Sequence, residues 1–71
     1  MALLLSVGDT TGCPVRIGHP DSHGVREVVF EKDDIHFVYC VVGAWRAVQM
    51  KRAIERGDLA EAERVRTPPR Q

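Results

Sequence analysis

The sequence predicts a small α+β domain: an N-terminal antiparallel β-sheet of three to four strands, then one main α-helix and a short C-terminal helix. Two contrasts carry this expectation. Residues 1–42 are rich in Val, Ile, Phe, Thr and turn formers, and residues 43–71 in Ala, Glu and Arg, so strand propensity gives way to helix propensity once along the chain. Charge reverses at the same place, from about −3 in the first part to about +3 in the second, around a formal total of zero.

Length limits the architecture further. With 71 residues, 44% of them hydrophobic and 28% charged, the chain has globular composition and room for one core. A single compact domain is expected over residues 1–66, with residues 67–71, which contain Pro68 and Pro69, as a flexible tail. A zero net charge gives no global field for nucleic acid or for a cationic partner.

The clearest element is a hairpin, with residues 25–30 and 35–42 as strands around Glu31-Lys32-Asp33-Asp34. It is expected in the register that sets Phe30 opposite Ile35. One face then carries Val28, Phe30, Phe37 and Tyr39 and belongs to the core; the other carries Val25, Glu27, Val29, His36, Val38, Cys40 and Val42. Residues 2–7 and 14–17 read as two shorter strands joined by the turn-rich residues 8–12, and Pro14 and Pro20 confine the second of them to an edge. The opening apolar run has no basic n-region and stops at Gly8-Asp9, short of a secretory h-region, and no run reaches the ~18 apolar residues that cross a bilayer.

Residues 44–56 have helical period, with Ala44, Ala47, Met50 and Ile54 on one stripe, Val48 beside it, and Arg46, Gln49 and Ala53 opposite. Gly57 is placed to close that helix, and Asp58 with Glu61 three residues on forms a capping-box-like start for a second helix over residues 58–66. A single helix running through Gly57 is the rival reading, at a cost of about 1 kcal/mol relative to Ala.

Chemistry-bearing groups are sparse. Cys13, His19 and His23 are zinc-type ligands, and the His pair matches half of a finger, but no C-x2-C pair accompanies them. Solvated loop histidines and small apolar cysteines are the plainer account, so neither metal nor cofactor is expected. Cys13 with His19 or His23 is the one conceivable nucleophile and base, on a scaffold with little room for a water-excluding cleft. Residues 8–12 lack the Lys of a phosphate loop. The acidic hairpin tip lacks the ligand spacing of a calcium loop. The helix arginines alternate with Glu55, Glu61 and Glu63 and read as ion-paired, solvated faces rather than as a nucleic-acid stripe.

Surface accounting points instead to interaction. One helix covers one face of a sheet, and this hairpin is apolar on both. The expectation is a non-enzymatic protein-interaction module, a regulator or inhibitor of the size that phages and mobile elements carry. It would be cytoplasmic, homodimeric and engaged with a further protein through Val25, Val29, Val38, Trp45, Arg46 and Arg52. The alternatives are a nucleic-acid-binding accessory protein using the Arg-rich helices, and a small zinc-binding domain.

Overall fold

The computed structural model describes residues 7–66. Three strands, β1 (Val15–Ile17), β2 (Val25–Lys32) and β3 (Ile35–Val42), precede two helices, α1 (Ala44–Glu55) and α2 (Leu59–Arg66). The sheet is antiparallel throughout, in the order β1-β2-β3. This is the α+β arrangement expected; the strand read over residues 2–7 lies outside the described residues except for Val7, which packs against the core.

The hairpin register differs from the expected one by two. Phe30 pairs with Phe37, not Ile35, and Val28 with Tyr39, because β2 continues through Lys32 and only Asp33 and Asp34 turn the chain. Both aspartates have left-handed backbone angles, φ 53° and 64°, the requirement of a two-residue type I′ turn, and Asp tolerates that region better than most residues. A slip of two preserves the alternation, however, so the two faces hold the residues expected of them.

One face is the core. Val28, Phe30 and Val41 are buried, with Val15, Ile17, Phe37 and Tyr39 packed beside them. Both helices lie against that face, through Ala47, Met50, Ala53 and Ile54 of α1 and Leu59, Ala62 and Val65 of α2. The buried arc of α1 is therefore rotated from the expected stripe: Ala53 is fully buried, whereas Ala44 is exposed and Val48 half-buried. The rotation follows from the presence of α2, since α1 must bury one flank on the sheet and another on its neighbour.

The break between the helices is at Gly57. Asp58 N–H donates to Ala53 O at 2.8 Å and Gly57 N–H to Ile54 O at 3.0 Å, the paired bonds of a Schellman motif, and Gly57 has φ 80°. Asp58 Oδ1 then accepts the Glu61 N–H at 3.1 Å and caps α2. The loop of residues 8–12 closes over this corner. Thr10 Oγ1 donates to Ile54 O at 2.7 Å, Gly12 N–H to Glu55 O at 3.4 Å, and a Cβ built on Gly57 would lie 2.6 Å from Thr11 Oγ1.

Candidate interaction surface

The second face of the sheet carries neither helix. Along it run the cross-strand pairs Val25–Val42, Glu27–Cys40, Val29–Val38 and, toward the hairpin tip, Glu31–His36, with Arg16 of β1 beside Val29, so Glu27 interrupts the two valine pairs. Val25 and Val29 are half-buried by their neighbours, whereas Val38 is 51% and Val42 61% exposed. His36 Nε2 lies 2.9 Å from Glu31 Oε1, so the polar end of the face is internally paired.

The six residues expected to meet a partner divide into separate groups. Val25, Val29 and Val38 share this outer face. Trp45, 65% exposed, and Arg52 lie seven residues apart on the arc of α1 turned away from its buried side, in the other layer of the domain. Arg46 stands between them structurally: its Nε donates to Val65 O at 3.1 Å and its Nη2 to the same oxygen, so this guanidinium closes the C-terminus of α2.

A groove lined by Cys40, Val42, Arg46 and Arg66 runs beside β3, bringing outer-face side chains next to helix arginines. Arg66 also pairs with Glu63 and sits over the Tyr39 ring, 5.7 Å from its centroid; Tyr39 is held above the usual phenol pKa, first by burial, with Arg66 opposing. Nothing in the sequence pattern pointed to Arg66 here, because the path of α2 past β3 is set by the corner at Gly57 and not by periodicity.

Most of the remaining helix charges are paired with one another; among the described residues, exposed Arg52 faces no carboxylate. Lys51 meets Glu55 at 2.8 Å, Arg56 meets Asp58 at 3.5 Å, and Arg64 is paired with Glu61. Glu61 is consequently held below the usual carboxylate range by the Arg64 hydrogen bonds, and Arg64 is pushed up by the same contact. Among the described residues, no group of three His, Cys, Asp or Glu is close enough to hold a metal ion, so Cys13, His19 and His23 do not converge on one another. Cys13 and Cys40 are separate free thiols. No described helix is long and apolar enough to cross a membrane. No protein family, characterised protein or solved structure matches the chain.

Proposed function

We propose that the chain is a non-enzymatic protein-interaction module, a small cytoplasmic regulator or inhibitor that associates with itself and uses the outer face of its sheet to engage another protein. The observation that carries this reading is the placement of both helices on one side of the sheet, which leaves Val42 and Val38 exposed opposite half-buried Val25 and Val29, with Glu27 and Cys40 between the two valine pairs. Burying a valine is worth about 1.5–3 kcal/mol relative to full exposure, so covering the exposed halves of Val38 and Val42 favours association by about 2–3 kcal/mol per copy, before the costs of docking and of desolvating Glu27. The ion pairing of Lys51, Arg56, Arg64 and Arg66 weighs against a nucleic-acid role, because each of these cations already faces a carboxylate.

Sedimentation equilibrium tests the reading. Wild-type protein should associate, Val38→Asp should yield monomer or insoluble protein, and Arg64→Asp on the far helix should leave association unchanged. A wild-type chain that stays monomeric and soluble at high concentration, with Val38→Asp without effect, overturns it.

A further inference from the structure

The outer face of the sheet carries two charged side chains without a polar partner. Arg16 lies on it beside Val29, and Glu27 stands two residues before Val29 on the adjacent strand β2. Both are exposed, and among the described residues neither side chain makes a hydrogen bond or an ion pair. Glu31, the other carboxylate of this face, is already paired with His36 at 2.9 Å. One free cation and one free anion therefore adjoin the Val29–Val38 pair. An occupant that covers these valines must also meet both charges, because a carboxylate or guanidinium sealed against apolar surface without a counter-ion is strongly disfavoured.

We infer that the occupant is a second copy, seated face to face across a two-fold axis that brings Arg16 of each copy to Glu27 of the other. This rests on the reading of the chain as a self-associating module and specifies the surfaces that meet. A two-fold contact requires one patch to complement itself. This patch does so, offering a guanidinium for the carboxylate and a carboxylate for the guanidinium, twice per dimer. Strand geometry then fixes how the copies lie. With strands about 4.8 Å apart and a rise of about 3.4 Å per residue, an axis in the plane between the sheets that exchanges Arg16 with Glu27 runs obliquely across β2 and β3, close to Val29 and Val38. Those two valines meet their own counterparts at the centre. The strands of the two copies cross at about 70°, nearer the orthogonal than the aligned class of sheet packing. Trp45 and Arg52, in the other layer, stay open to a further protein.

Complementary charge reversal on the full chain tests this directly. Arg16→Glu gives a face with two free carboxylates, and Glu27→Arg a face with two free guanidiniums. Each chain alone should show a dimer dissociation constant about a hundredfold above that of wild type, since like charges meet at both contacts. An equimolar mixture should form a one-to-one dimer of near wild-type affinity, because both contacts are opposite in charge again. Sedimentation equilibrium reads these outcomes, and circular dichroism checks that each chain is folded. Should a reversal not fold, the milder Arg16→Gln and Glu27→Gln should each raise the dissociation constant about tenfold, and an unchanged constant overturns the inference. If wild type dimerises and Val38→Asp disrupts it, but each reversed chain still dimerises alone, the copies meet through another contact. If both reversals give monomer and the mixture stays monomeric, the charges act within one chain. In either case the interaction reading stands and this pairing is overturned. A monomeric wild type with a monomeric mixture overturns both.

Discussion

Thr10 Oγ1 donates a 2.7 Å hydrogen bond to the carbonyl of Ile54, 44 positions along the chain, from a fully buried site. Ile54 lies in the last turn of α1, and its carbonyl accepts both the Gly57 N–H of the Schellman motif and this hydroxyl, so the loop of residues 8–12 adds a tertiary cap to the local one. Thr10→Val keeps the shape and deletes the donor. It should lower stability by about 1–2 kcal/mol, read as a lower urea midpoint at unchanged m value.

Gly57 gives a prediction whose sign separates two architectures. If one helix ran through this position, Gly57→Ala would stabilise the protein by about 1 kcal/mol. At φ 80°, with Thr11 Oγ1 2.6 Å from the added Cβ, the substitution should instead destabilise it by more than about 1 kcal/mol. Thr11→Ala in the same chain removes the clashing oxygen and should restore part of the loss, a coupling that a double-mutant cycle in chemical denaturation resolves.

Asp34 is held at φ 64° in the second position of the hairpin turn. Asp34→Gly relieves that angle and creates the Asp-Gly pair that type I′ turns favour, so it should raise stability by about 0.5–1 kcal/mol. A thermal melt at low protein concentration measures this without contribution from self-association. A loss of stability would mean that the turn is not the two-residue one.

These positions show where the sequence was legible. The faces of the hairpin followed from alternation alone, since Val28, Phe30, Phe37 and Tyr39 stay on one face in any register related by a slip of two. The register itself depended on whether Glu31 and Lys32 extend the strand, a choice made by the backbone angles of Asp33 and Asp34 that composition does not specify. The Gly57 break was legible because both of its caps are local. The burial of Ala53 was not, because it depends on where α2 lies. Of the candidate surface, the exposed valines were readable from alternation; the groove joining Cys40 and Val42 to Arg46 and Arg66 was not, because it brings together elements that no local pattern relates.

Acid should weaken the fold through two carboxylates. Asp9 is held below its ordinary value of 3.8 chiefly by the Thr11 backbone N–H, and Glu61 below 4.5 chiefly by Arg64. A carboxyl whose folded pKa is depressed contributes stability that is present above its unfolded value and is lost as pH falls through the folded one. The melting temperature should therefore hold from pH 7 down to about 5 and decline below about 4.5, where the unfolded carboxyls begin to take up protons first. Glu61→Gln should flatten part of that decline while lowering stability modestly at pH 7.

Ala53 and Ala62 are both fully buried, on helices that pack against each other, and their small side chains set how closely α1 and α2 approach. Ala53→Leu adds three carbons to a filled seam and should destabilise the domain by about 1–3 kcal/mol. Ala44→Leu makes the same chemical change on the same helix at an exposed site and should shift stability by less than about 0.5 kcal/mol. The comparison discriminates between two orientations of α1. If the buried stripe ran through Ala44 with Ala53 in solvent, as helical periodicity alone suggests, the larger loss would fall on Ala44→Leu. With α2 folded against α1 at the Gly57 corner, it falls on Ala53→Leu, and urea denaturation of the two variants beside wild type decides between them.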